Sequence, residues 1–287
     1  MLRIVRLLAP NPGLFTLEGT NTWVVGSDPS IVIDPGPELE EHLDAVAREA
    51  GSVAAVLVTH DHPDHAPGAP VLAARVGAPV FAYRLAGAER LRDGQRILGG
   101  GVELTAVHTP GHTSDHVALF DPLSGSLFTG DAVVGRGTSF IDPPDGDLAR
   151  YLRSLDRMLE LGPRTIYPGH GPVVLRAGDK LREYLAHRRE REEQIVAGLA
   201  EGPRTIAQLV GSIYAGYPED VRPLAARSVL AHLLKLEDEG RAERAGREED
   251  SPWAASTPRS CERCGRRVRG RARYCSSCSL AILQGEG

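Results

Sequence analysis

The sequence predicts a body of mixed helix and strand, α/β or α+β, followed by a small helical module and a cysteine-bearing tail. Three observations carry that expectation. Short apolar runs in the first 170 residues end abruptly in polar side chains able to bind metal. Stretches of helical periodicity lie between those runs. All four cysteines fall between Cys261 and Cys278. A chain of 287 residues also exceeds the usual single-domain size, so one core with smaller appendages is expected.

Taken in order, the stretch from Met1 to Pro10 holds only a brief apolar run at Leu7 and Leu8. It is too short for a signal segment or a membrane span, so a cytoplasmic protein without membrane contact is expected. Glu38 to Ala50 has helical spacing, and Val53 to Val58 then runs into Thr59-His60-Asp61-His62-Pro63-Asp64-His65. After a helical stretch from Ala69 to Val76, Val102 to Val107 leads through Pro110 and Gly111 to His112. Leu127 and Phe128 precede Gly130-Asp131, Leu148 to Leu161 is helical, and Thr165 to Tyr167 precedes Pro168-Gly169-His170. Strands would thus deliver side chains to loops along one sheet edge, where rigid scaffolds usually place chemistry.

Beyond residue 170, a charged helix is expected from Gly178 to Leu199, with two more at Thr205 to Tyr214 and Pro223 to Glu239. Glu239-Gly240 is a helix stop, and Arg241 to Arg244 reads as a short β-like wing. Helix, helix and wing fit a winged-helix module over residues 201–250, with the catalytic body over 1–200. Its acids Asp238, Glu239, Glu248, Glu249 and Asp250 suit phosphate poorly, leaving packing or homodimer formation as the alternative role. Glu248 to Pro258 reads as a polar, proline-containing linker.

Apolar residues at 41% and charged residues at 25% are ordinary for a soluble globular protein that can bury a sizeable core, so disorder is not the expectation. The net charge of -5 hides an asymmetry. Residues 259–287 hold seven Arg against two acids (+5), which leaves -10 for residues 1–258. With no thiol before Cys261, no disulfide framework supports the body.

His60 and His62 alternate as on an extended segment, and Asp64 and His65 follow within three residues, so one loop offers four ligands. Imidazole with carboxylate suits zinc, and also iron or manganese. His112, Asp131 and His170 would complete two three-ligand sites with one shared carboxylate. Two ions about 3.5–4 Å apart can hold a bridging hydroxide as nucleophile and polarise the scissile group. The isolated His42, His108, His187 and His232 are assigned structural roles.

The run THDHPDH, followed in order by GH, GD and GH elements, resembles the HxHxDH signature of the metallo-β-lactamase superfamily. The resemblance implies that family's αββα sandwich, with His60, His62 and His112 on one zinc ion and Asp64, His65 and His170 on the other. It implies Asp131 as the bridge, Asp64, His65 and Asp131 as the catalytic group, and Asp34, after Ile31-Val32-Ile33, as a support for the ligands. Secreted zinc β-lactamases typically carry Arg and Cys where His65 and Asp131 stand here, which disfavours that activity. The stretches NPGLFTLEGTNTWVVG, TPGHTSDH and YPGHGPVV resemble the β-lactamase-like endoribonuclease subfamily, with a match over residues 11–26, 109–116, 130–147 and 167–195. Single-stranded RNA is the substrate that likeness implies. Hydroxyacylglutathione hydrolases share the metal motif, so a thioester or ester is the alternative, and a non-enzymatic nucleic-acid-binding regulator is the third reading. His116 is left between supporting the site and an ordinary loop hydrogen bond, and Arg136 between a phosphate contact and solvation.

Cys261-x-x-Cys264 and Cys275-x-x-Cys278 enclose ten residues, spacing that suits a structural zinc ribbon over residues 259–280. Four thiolates close the coordination sphere, so this ion would be structural. Arg263, Arg266, Arg267, Arg269, Arg271 and Arg273 make the ribbon basic and suit it to nucleic-acid contact, with Tyr274 as a candidate stacking partner.

Overall fold

The computed structural model describes residues 2–246, 248, 250–256 and 261–265. They fall into two compact units, residues 1–139 with 145–185, and residues 140–144 with 186–287.

In the first unit, β1 (Ile4–Leu8), β2 (Asn21–Val25), β3 (Ser30–Ile33), α1 (Glu40–Ala50), β4 (Val53–Val58), α2 (Gly68–Val76), β5 (Val80–Ala82) and β6 (Glu89–Arg90) come first. Their strands form one sheet in the order β1-β2-β3-β4-β5-β6, antiparallel to β3 and parallel from there on. β7 (Arg96–Gly99), β8 (Val102–His108), β9 (Val117–Asp121), β10 (Ser126–Gly130), α3 (Leu148–Glu160) and β11 (Thr165–Pro168) follow, and the second sheet runs β11-β10-β9-β8-β7. α4 (Ala177–Ala200) leaves this unit and continues into the next.

Strand alternation decides the layers. Trp23, Val25, Ile31, Ile33, Ala55 and Leu57 pack against Leu104, Ala106, Val117, Leu119 and Phe128 between the sheets. Val24, Val32, Val56 and Val58 point the other way, onto Leu43 and Val46 of α1 and Ala69 and Leu72 of α2. Both faces of the central strands are therefore covered, which is why they read as unbroken apolar runs. Each fully buried Val, Ile, Leu or Phe among them stabilises the fold by about 1.5–3 kcal/mol. α3 is tied to the loops of the second sheet: Ser154 Oγ donates to the Pro110 carbonyl at 2.8 Å and Tyr151 Oη to the Ala132 carbonyl at 2.6 Å. The layer order is the expected αββα.

The second unit holds the end of α4, then α5 (Ile206–Ile213), a 3-10 turn at Glu219–Val221, α6 (Arg222–Asp238), β12 (Ala242–Arg244) and β13 (Trp253–Ala255). Thr205 opens α5 with a reciprocal cap, its hydroxyl accepting from Gln208 N while the Gln208 side chain accepts from Thr205 N. Leu209, Val210, Val229, Leu233, Leu236 and Trp253 close the core over Ile195 and Leu199. The expected linker is corrected here, because residues 253–255 within it form β13, paired antiparallel with β12. Buried Trp253 drives that pairing, and its backbone also exchanges hydrogen bonds with Arg204 at 2.7 and 2.8 Å.

At Cys261 the chain turns: Gly265 N donates to the Cys261 carbonyl at 2.9 Å, with Cys261 buried and Cys264 exposed. Cys275, Cys278, Tyr274 and the arginines from 266 onward lie outside the described residues. No helix among the described residues is long and apolar enough to cross a membrane.

Candidate metal centre

All seven side chains singled out from the sequence meet at one end of the first unit. β4 ends at Val58, and His60 follows after Thr59; the next turn closes when His65 N and Ala66 N both donate to the His62 carbonyl at 3.0 Å. That turn brings His62, Asp64 and His65 to the same place. Asp131 follows β10, His112 follows β8 and His170 follows β11. Gly130 has φ +44°, and a Cβ there would lie 2.5 Å from Thr59 Oγ1 and 2.8 Å from His116 Nε2, so the approach to Asp131 requires glycine.

The donor atoms form two groups, His60, His62, His112 and Asp131 in one, Asp64, His65, Asp131 and His170 in the other, each within 4.8 Å. In the first, His62 Nδ1 stands 2.9 Å from His60 Nε2 and 3.2 Å from His112 Nε2. In the second, His170 Nε2 lies 3.2 Å from His65 Nε2 and 3.1 Å from Asp64 Oδ2. Asp131 belongs to both. Its Oδ1 faces His65 and His170 at 3.4 and 3.3 Å, and its Oδ2 faces His112 at 3.8 Å.

These contacts fit metal ions. A carbonyl only accepts, so His170 Nδ1 donates to Gly19 O at 3.1 Å and Nε2 is the nitrogen offered to the cluster. Imidazole nitrogens oppose each other, and Asp131 Oδ1 is buried without a hydrogen bond. A divalent cation satisfies such converging lone pairs. Charge balance agrees. Burial works against a charged His65, yet Asp131 and Asp34 outweigh it and hold the ring well above the usual imidazole range. The same contest, with Asp131 and Asp64 opposing burial, lifts His170 to about 9. Burial would raise Asp131, but His65 and His170 keep it well below the usual carboxylate range. His60 is held well below the imidazole range by burial and by the charge of His65 and His112.

Other residues hold this arrangement. Asn21 donates from Nδ2 to the Pro168 and Gly171 carbonyls at 3.0 and 2.9 Å, and Trp23 Nε1 donates to Pro168 O at 3.1 Å, clamping the His170 loop to β2. The one signal for Asn21 in the sequence is a polar residue at the start of a buried strand. Asp34 accepts from Thr59 and His65, as its expected supporting role requires. His116 is buried behind His60, with ring centroids 5.1 Å apart and Nδ1 2.8 Å from Thr109 Oγ1, and joins neither group. Arg136 pairs with Glu18 at 2.6 Å. His42 bonds Thr22, and His108 stacks on Tyr83 with centroids 4.0 Å apart.

A two-sheet sandwich with a histidine and carboxylate double cluster at its loop end defines a metal-dependent hydrolase scaffold. The comparisons give the family: residues 15–170 match the metallo-beta-lactamase superfamily and residues 205–253 the beta-lactamase associated winged helix domain. The chain belongs to the metallo-β-lactamase superfamily, whose members are hydrolases. It is 35% identical over 264 residues to a beta-lactamase-like protein 2 homolog of Drosophila melanogaster, covering 83% of this chain and 89% of that one. It is also 35% identical to an atrochrysone carboxyl ACP thioesterase of Aspergillus chevalieri, covering 82% and 80%. The crystal structure of a beta-lactamase domain protein from Burkholderia ambifaria shares the fold, with a TM-score of 0.75, 23% identity and 89% and 91% coverage.

Proposed function

We propose that this chain is a two-metal hydrolase that cleaves single-stranded RNA. The observation that carries the hydrolase chemistry is Asp131, whose two oxygens face different ligand groups. His60, His62, His112 and Asp131 would hold one ion, and Asp64, His65, Asp131 and His170 the other, with zinc first and iron or manganese as alternatives. Two ions held there would lower the pKa of a water molecule and polarise the bond to be cleaved. His62, Asp64 and His112 are only partly buried, whereas His60, His65 and His170 are buried, so substrate enters past the first three. Asp64, with its side chain 22% exposed, is the carboxylate on that side and is placed to hold the proton of the attacking water.

The tail supports RNA as the substrate. Its seven Arg give +5 beside a body of -10, and an acidic body needs such a guide to approach a polyanion. Cys261, Cys264, Cys275 and Cys278 would hold a structural zinc that shapes this segment, and thiolates committed to a metal suit a reducing, cytoplasmic setting. A second reading, thioester or ester hydrolysis, is favoured by the likeness to the Aspergillus thioesterase. Cleavage of labelled single-stranded RNA by the purified protein, beside Asp64→Ala and an acyl thioester, decides between them. RNA cleavage lost with Asp64 supports the first reading; thioester turnover with intact RNA supports the second.

A further inference from the structure

Asp34, at the end of β3, is 1% exposed and holds a backbone φ of +50°. Its Oδ1 accepts from Thr59 N at 2.8 Å, and its Oδ2 accepts from Thr59 Oγ1 at 2.8 Å and faces His65 Nδ1 at 3.0 Å. The Thr59 hydroxyl has one proton, and that proton points at Asp34. Thr59 Oγ1 therefore meets His60 Nδ1, 3.0 Å away, with a lone pair, and His60 Nδ1 must be the N–H. His60 thus offers Nε2 to the first ligand group, and His65, donating from Nδ1 to Asp34, offers Nε2 to the second.

We infer that Thr59 is a positioning residue that fixes the His60 tautomer, and that through it one carboxylate, Asp34, orients a ligand in each of the two metal sites. The inference rests on the two-metal reading above. The two branches are separable. Thr59→Val keeps shape and backbone donor but removes the hydroxyl, so only the His60 branch fails. Asp34→Asn replaces an accepting oxygen by a donor and disturbs both branches. Loss of such an outer partner costs about 10–100-fold in metal affinity.

The test is cobalt(II) titration of the full chain in two backgrounds. His170→Ala leaves the first ligand group intact, and His112→Ala leaves the second intact. Binding at the tail cysteines is followed separately by its thiolate charge-transfer absorption. Thr59→Val should weaken binding by about 10–100-fold in the His170→Ala background and leave it unchanged in the His112→Ala background. Thr59→Ser should restore it, and Asp34→Asn should weaken both. Equal weakening in both backgrounds, or none in either, overturns the inference. Should Thr59→Val fail to fold, Thr59→Ala takes its place under the same expectations. A parent chain that binds no ions at the histidine cluster would instead overturn the metal reading, a separate outcome.

Discussion

Gly169 shows how little room the metal centre leaves. A Cβ at this residue would lie 2.6 Å from Asp131 Oδ1 and 2.7 Å from His65 Cε1, both inside the second ligand group. Gly169→Ala should therefore displace a carboxylate that both groups share, and lower metal affinity by about 10-fold or more, read by metal content after dialysis. His170→Ala removes a ligand outright and should leave the histidine cluster holding one ion instead of two, with hydrolysis lost. A variant that keeps two ions and full turnover would remove His170 from the site. The ligands themselves were legible in the sequence because His60, His62, Asp64 and His65 crowd one loop, and because His112, Asp131 and His170 each follow an apolar run. Thr59 and Asn21 were not, since their importance lies in which distant group stands opposite. Thr59 meets Asp34 across 25 positions, and Asn21 meets Pro168 across 147.

The elements of the second unit carry their own tests. The Thr205 cap satisfies an otherwise open amide at the start of α5, so Thr205→Ala should cost about 1 kcal/mol in denaturant unfolding. Between α4 and α6, Glu192 receives Lys235 and Arg241 at 2.6 Å each, with His232 at 3.9 Å. Burial would raise Glu192, but contacts with His232, Lys235 and Arg241 overcome it and bring it down to about 2. Burial depresses His232 to about 4 against the opposing Glu192. Both groups bind a proton more readily in the unfolded chain, so both make stability fall with acid. His232 contributes between its ordinary 6.5 and about 4, and Glu192 between 4.5 and about 2. Thermal midpoints measured from pH 7 to 3 should decline in that order, and His232→Leu should flatten the upper part. A midpoint independent of pH down to 4 would count against buried, neutral His232. Helices in this unit were legible from periodicity and the Glu239-Gly240 stop, but β13 was not. Three residues, Trp253 to Ala255, carry no alternation long enough to see, and it is the buried Trp253 and the pairing with β12 that make them a strand.

At the scale of the whole molecule, the acidic body and the basic tail make opposite predictions about salt. A polyanion bound only at the metal centre would have few phosphate contacts, and its affinity would change little with ionic strength. If Arg263, Arg266, Arg267, Arg269, Arg271 and Arg273 all meet phosphates, they add about -4 to the slope of log affinity against log salt, at about -0.7 per contact on a single strand. Truncation after Thr257 should then flatten that slope and weaken RNA binding at low salt, while metal content at the histidine cluster and turnover of a small ester stay the same. Replacing Cys275 by Ser should act through the same segment, lowering total bound metal from three ions to two and weakening RNA binding with it. An unchanged slope in the truncated chain would separate the tail from the substrate. The tail would then need a different partner, and the thioester reading would no longer have the charge asymmetry against it.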